Sequence, residues 1–524
     1  MLRARPYRLG MQDRPASPLD PARATARLGL ERDDDELRHP EDQQAPDRWA
    51  FNPWRRTREG TAARRVTDAV ISRLAACETR KRQRKQADAA TFAAVVDAVV
   101  ASLLRCQLDA SQRDVDAEDE KRGWVRVPLS SRRLTPNAEQ SRYDATPIPL
   151  GMLMTTRRKG KPERRGIVDA MADLELIYLD RAPRHSEATR ASAIKCRTGM
   201  LELIAEHEPR LDELELLSCV VTADGDRVEP ELIELREPLI EERSFGFIPL
   251  QTRIRSRSVE YPDGPTIEAW REEVRTINNG LANADISFDP GNGVINGHEV
   301  PEHGIALHDR MLKRIFNNGR WDHGGRLYGG FWQAMKRELR AGLRIGGQCV
   351  VSLDFSAMYL QLLYTVMARR QTPMRGDLYA GIDPVEGWPA DPDRKQAMRD
   401  AIKRNVSAML FSKEAQRGKP LSLVKRTRDV LSKGVTGAVL EKRVKARHPA
   451  IAEWFRVPGI GFELMNHESE IMIRTVLRCL KQGVVVLPLH DGLLVAEPHK
   501  EIASTAMQAA FRDHTGGFVA RVSG

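Results

Sequence analysis

Cysteine is scarce in this chain: six among 524 residues, at positions 77, 106, 196, 219, 349 and 479. No two form a C-x-x-C pair, which argues against a zinc ribbon or a disulfide framework and for a reducing compartment. No apolar run approaches the roughly 18–20 residues of a membrane span. The arginines near the start are not followed by an apolar signal core. A cytoplasmic protein without membrane contact is the expectation. No internal repeat is visible. Charge, by contrast, is plentiful. Lys and Arg number 83 against 73 Asp and Glu, a formal net charge of +10. That balance suits a polyanionic partner, although GC-rich codon usage inflates arginine in the same way.

The length allows two to four domains. Residues 1 to about 60, rich in Arg, Asp and Pro with little periodicity, are expected to be a disordered or loosely packed arm. Residues 61–310 form an N-terminal region of mixed, largely helical signals, expected to be thumb-like or template-binding. Val66, Ala69, Val70 and Leu74, then Phe92, Val95, Val96, Val99, Val100 and Leu103, recur at helical spacing. Between them, residues 80–85 (R-K-R-Q-R-K) are a basic turn or helix end, as readily a solvated surface as a nucleic-acid patch. Residues 155–165 are a basic loop and a candidate phosphate-backbone contact. From 311 the character changes. Apolar strand-like runs (349–353, 484–489, 493–495) alternate with helical patterns (358–367, 394–411, 469–480), which predicts a sheet with helices on one face. Residues 484–495 read as strand, turn at His490-Asp491-Gly492, strand, with the glycine supplying positive φ.

Three segments carry the chemistry. Asp354 follows the strand-like V-V-S-L, Asp491 sits in the hairpin turn, and Arg399 and Lys403 lie four apart on one helix face. Singly, each has a plain explanation: an edge carboxylate in a salt bridge, an ordinary turn aspartate, a basic helix surface. Together they match a need. Mg²⁺ takes a few carboxylates plus substrate phosphates, two metals clamp the attacking and leaving oxygens of an in-line displacement, and Arg and Lys neutralise a triphosphate.

In this order the segments resemble motifs A, B and C of family A DNA polymerases and their relatives, the single-subunit phage-type RNA polymerases. Asp354-Phe355-Ser356 is similar to motif A. Arg399, Lys403 and Phe411, with Ser412 in the glycine position, keep the spacing of motif B. His490-Asp491 is similar to motif C. Asp322, Gly325 and Arg326 match the upstream T/D-x-x-G-R element, and Gly376-Asp377-Leu378-Tyr379 resembles a further family segment. The chain also closes, like the family, with a helix (500–511) and a short strand (517–522). The resemblance spans roughly 310–524.

It implies an α+β fold: a right-hand palm of antiparallel sheet with helices on one face, carrying a helical fingers insertion at about 370–450. It implies DNA-directed DNA synthesis from a template–primer and dNTPs, with two Mg²⁺ ions (Mn²⁺ as a substitute) on Asp354, Asp491 and the Phe355 carbonyl. Lys403 and Arg399 would hold the nucleotide phosphates, with Lys403 as a general acid. Arg326 and Asp322 would meet the template–primer, and His490 the primer end. His467 and Glu468 stand about where relatives place polar residues near the primer, or in the acidic first turn of a helix.

The departures bear on the sugar. Relatives that make DNA place a glutamate five residues after the motif A aspartate, and those that make RNA a glycine. Here it is Tyr359, bulky enough to exclude a ribose 2′-OH. Phe411 replaces the usual motif B tyrosine, which fits the loss of that glutamate. Ser407 replaces an aromatic that packs on the sugar. An RNA polymerase or primase of the same fold stays open, as does a non-catalytic nucleic-acid binder with a relict palm. Asp173-Leu174-Glu175 is the sole hint of a proofreading site and lacks later partners.

Overall fold

The structure, a computed structural model, describes residues 48–77, 86–110, 124–127, 142–144, 146–155, 165–181, 192–221, 227–245, 248–382, 391–412, 418–431 and 434–524. The basic segment 80–85 and most of the 155–165 loop lie outside them. The fold is α+β and divides into two compact units. Among the described residues, the larger collects those of 48–238, Ser256–Leu378 and Phe462–Gly524, and the smaller those of Leu239–Arg255 and Tyr379–Gly461.

The larger unit begins with helices Ala62–Ala76 and Gln86–Ala110. Thr61 caps the first by accepting from the Arg64 amide at 3.2 Å, and Val66, Val70 and Leu74 line its buried face. Along the second, Val95, Val96, Val99, Val100, Leu103 and Leu104 are buried, each worth about 1.5–3 kcal/mol. This helix corrects one expectation. Its 86–109 stretch is long and apolar enough to cross a membrane by length and composition alone. Alanine and valine raise the mean hydropathy, but the same side chains fill the core of the unit. A four-stranded sheet packs there in the order Arg48–Ala50, Trp124–Val127, Ser192–Cys196, Ile177–Asp180.

The expected loose arm is also corrected, for its described part. Residues 48–57 supply strands Arg48–Ala50 and Arg55–Thr57, and Phe51 and Trp54 are buried. Charge in this segment is paired rather than solvated. Arg55 grips Asp309 with both terminal nitrogens, at 2.6 and 3.0 Å, and Arg105 reaches the same carboxylate at 3.3 Å. Thr57 Oγ1 donates to the buried Asp97 at 2.6 Å. The D-x-E at 173–175 is spent on the surface: Asp173 pairs with Arg165, and Glu175 with Arg197 at 2.9 Å.

The C-terminal part of this unit is built on a six-stranded antiparallel sheet. Its order is Ile286–Phe288, Leu343–Ile345, Gln348–Phe355, Gly492–Ala496, Val486–Pro488, with Val522–Ser523 beside the end of Gln348–Phe355. Helix Lys500–Thr515 buries Ala503, Ala506, Met507, Ala510 and Phe511, a 3–4 spacing. Phe511 packs on Phe355 with ring centroids 5.7 Å apart. The closing strand is shorter than the expected 517–522. Helix Ile460–Lys481 starts well before residue 467, so His467 and Glu468 lie in its interior and not in a first turn.

A neighbouring hairpin, Lys313–Phe316 with Gly324–Tyr328, is antiparallel. Arg314, fully buried, sits 4.9 Å from the Trp270 ring and 4.8 Å from that of Phe316. It donates to the Gly325 carbonyl at 2.9 Å and pairs with Glu470. The smaller unit centres on helix Pro392–Leu410, started by Asp391 as cap and Pro392 at the first position. The unit's last segment runs from Tyr379 to Gly461, later at both ends than the expected 370–450 insertion.

Candidate active site

Strand Gln348–Phe355 carries Asp354 near its C-terminal end, paired in register with Gly492 on one side and Ser523 on the other. The intervening turn is tight. Pro488 pairs with Leu493, and the Leu489 amide donates to the Gly492 carbonyl at 2.8 Å, which leaves His490 and Asp491 as the two turn residues. The Phe355 amide donates to the Asp491 carbonyl at 3.0 Å. Asp354 and Asp491 therefore sit at the same end of adjacent strands, both half-buried.

Gly492 is needed here for a reason other than the expected one. Its φ is not positive. A Cβ at this position would meet the Leu353 carbonyl at 2.5 Å and Asp354 Oδ1 at 3.0 Å. Close approach of the Asp354 strand, and not turn geometry, demands glycine. The same contact shows the Asp354 carboxylate lying over residue 492, beside Asp491.

Arg326, on strand Gly324–Tyr328, connects the remaining groups. Its Nε and Nη2 donate to the two oxygens of Glu468 at 2.6 and 2.9 Å, and Nη2 also lies 2.7 Å from the Tyr359 hydroxyl, to which it donates. The Glu468 side chain is 1 % exposed. Burial opposes the Arg326 charge, but Glu468, Tyr359 and Asp491 outweigh it and hold the guanidinium protonated. Burial raises the pKa of Glu468 against the pull of Arg326, with Asp491 adding to the rise. Burial likewise raises that of Tyr359. Asp491 is thus felt by all three members of this network. His490 lies against Tyr328 at 5.4 Å, and burial lowers its pKa to about 3, so its imidazole is neutral.

The other candidates fall elsewhere. Asp322 is exposed and held by Arg320 at 2.8 and 2.6 Å. His467 meets His514, Nδ1 to Nε2, at 2.9 Å. Phe355 turns its ring into the core, so only its main chain is available to a site. In the smaller unit, Arg399, Lys403 and Ser407 follow one another at i, i+4 and i+8 of helix Pro392–Leu410 and share one face. Lys403 is exposed, and Arg399 lies over the Tyr379 ring at 5.3 Å. The opposite face carries Met398, Ala401, Ile402, Asn405, Val406 and Met409 into the core of that unit. Phe411 closes the helix, its amide donating to the Ser407 carbonyl at 3.0 Å.

Among the described residues, no group of three or more His, Cys, Asp or Glu is arranged to hold a metal. Asp354 and Asp491, at the same end of adjacent strands, do not by themselves make a self-sufficient cage. They do fit a divalent cation that takes its remaining oxygens from water and substrate phosphates. The Arg326–Glu468–Tyr359 network was not legible beforehand, because Glu468 is 142 residues from Arg326. The one available signal was a glutamate in an otherwise apolar helical face.

No known protein-family model matches the chain, and no curated protein does. One solved structure, the POL domain of Pol1 from M. smegmatis in complex with DNA primer-template and dNTP, is similar at 12% identity and a TM-score of 0.27. The match covers 49% of this chain and 50% of that one, so the chain spans about half the length of the structure it resembles. A likeness at that score does not define a fold.

Proposed function

We propose that the chain is a nucleotidyltransferase that copies a template, most simply a DNA-directed DNA polymerase. Its antiparallel sheet would be the palm and the smaller unit the fingers. The observation that carries the reading is the pairing of Asp354 with Gly492, which sets Asp354 and Asp491 at the same end of adjacent strands. Mg²⁺ ions, with Mn²⁺ as a substitute, would be held by Asp354, Asp491 and the Phe355 carbonyl, and would supply Lewis-acid stabilisation of the phosphoryl oxygens. Lys403 and Arg399 would bind the triphosphate of the incoming nucleotide, and Lys403 would donate a proton to the departing pyrophosphate. Tyr359 would stand against the sugar, its ring held in place by Arg326. Arg326, engaged with Glu468 and Tyr359, would act by positioning, with any contact to the template–primer made in addition. Such work belongs in the cytoplasm, on replicating DNA.

Primer extension by the full chain, with dNTPs or rNTPs, tests this. Asp354→Asn or Asp491→Asn should each lower extension roughly a thousandfold, the several kcal/mol that metal-held oxygens contribute. Full extension by both variants would remove the two carboxylates from the chemistry, and no extension by the parent would overturn the reading and leave a nucleic-acid binder. Unprimed synthesis from rNTPs alone would move it to an RNA polymerase or primase.

A further inference from the structure

The first sheet of the larger unit has an outward face that the proposed chemistry does not use. On its strands, Val125, Ile194 and Ile177 point into the core. Side chains alternate across a strand, so Trp124, Lys195 and Tyr178 point the other way. The register sets them in one row. Tyr178 pairs with Lys195, and extending the pairing of Val125 with Ile194 by one residue sets Trp124 on the other side of Lys195. The two rings flank the lysine across two strand spacings, roughly 9–10 Å. Tyr178 is 49% exposed, the most exposed of the large hydrophobic side chains among the described residues. Trp124 and Lys195 are half-buried. Arg197 adds a second cation, its guanidinium carbon 5.3 Å from the Tyr178 ring centre, steadied by Glu175. Asp180 shares the face but lies toward the end closed off at the buried Ala193.

An apolar protein partner would call for aliphatic side chains on this row, and there are none. Two rings with a lysine between them and an arginine beside the outer ring match a strand of unpaired bases with its phosphates: rings stack on bases, and cations meet the backbone. We propose that Trp124, Lys195, Tyr178 and Arg197 form a binding platform for single-stranded nucleic acid. The platform is independent of the polymerase reading, since none of its residues belongs to the Asp354–Asp491 site.

The test is fluorescence anisotropy of the full chain with labelled oligo(dT), without metal or nucleotides. Tyr178→Ala should weaken binding about fivefold or more, whereas Tyr178→Phe, which keeps the stacking ring, should not. Lys195→Ala should weaken it and reduce the dependence of log K on log salt by about 0.7. Cross-linking of a photoreactive oligonucleotide should map to Tyr178 or Trp124. Circular dichroism of each variant should match the parent, as expected for an exposed tyrosine and a half-buried lysine outside the core. No binding of oligo(dT) by the parent overturns the proposal. So does affinity within about twofold of the parent in Tyr178→Ala and Lys195→Ala alike, or cross-links confined to other residues. Extension of a saturating template–primer should be unchanged in Tyr178→Ala, which separates the platform from the catalytic site.

Discussion

Tyr359 shows what a single side chain decides. Its hydroxyl is tied to Arg326 at 2.7 Å, and on the proposed reading that tether would keep the ring against the sugar and bar a bulkier one. Tyr359→Ala should reduce discrimination between dNTPs and rNTPs about ten- to hundredfold in primer extension. Unchanged selectivity would remove the tyrosine from that role. His323 makes a second point at the same scale. It is buried, stacked 5.7 Å from Phe462, and burial lowers its pKa to about 4. Between that value and about 6.5 the unfolded chain binds a proton that the folded chain refuses, so this contribution is whole above pH 6.5 and fades as pH falls toward 4. Urea midpoints should drop between pH about 7.5 and 5.5, by roughly 1 kcal/mol less in His323→Gln than in the parent. The residue types at Asp354, Lys403 and Asp491 were legible because motif spacing is local. The partners of Arg326 and His323 were not, because each comes from a distant helix.

At the scale of elements, the helices were the most readable. Val66 to Leu74 and Val95 to Leu103 repeat at the period of the helix they form. The hairpin at 484–495 was readable in outline, but the reason for its glycine was not. Alternation along a strand tells nothing of how near the next strand will lie, and Gly492 answers to Leu353 and Asp354. Gly492→Ala should push the two strands apart, abolish extension and cost about 2–3 kcal/mol of stability. Thermal melting and extension assays would read both effects, and a fully active variant would show that the strands can yield. Strand Ile233–Phe245 was missed because glutamates and arginines interrupt its alternation. Glu234 is there to pair with Arg236 at 2.8 Å, and Ser258 donates to it as well.

Over the whole molecule, charge behaves differently from what composition suggests. The acidic and basic residues before position 60 read as a solvated arm, yet Arg55 and Asp309 meet across 254 positions. Asp309→Asn would leave the Arg55 and Arg105 guanidiniums short of a carboxylate in a buried place, a loss of about 3–5 kcal/mol. A clear fall in melting temperature is expected, while a neutral substitution would mean that water reaches these groups. The net charge of +10 is therefore a poor guide to where a polyanion binds, since many arginines are already spoken for.

One joint in the larger unit has a practical use. Trp332, with no exposed surface, donates its indole N–H to the Pro488 carbonyl at 2.8 Å. The side chain of Gln333 spans from the Leu327 carbonyl at 3.0 Å to that of Pro488 at 3.2 Å. This clasp joins the strand bearing Arg326 to the strand leading to Asp491. The chain has eight tryptophans, so in a variant that keeps Trp332 alone the emission would report this hydrogen bond, and a shift between the two strands on addition of Mg²⁺ should change it.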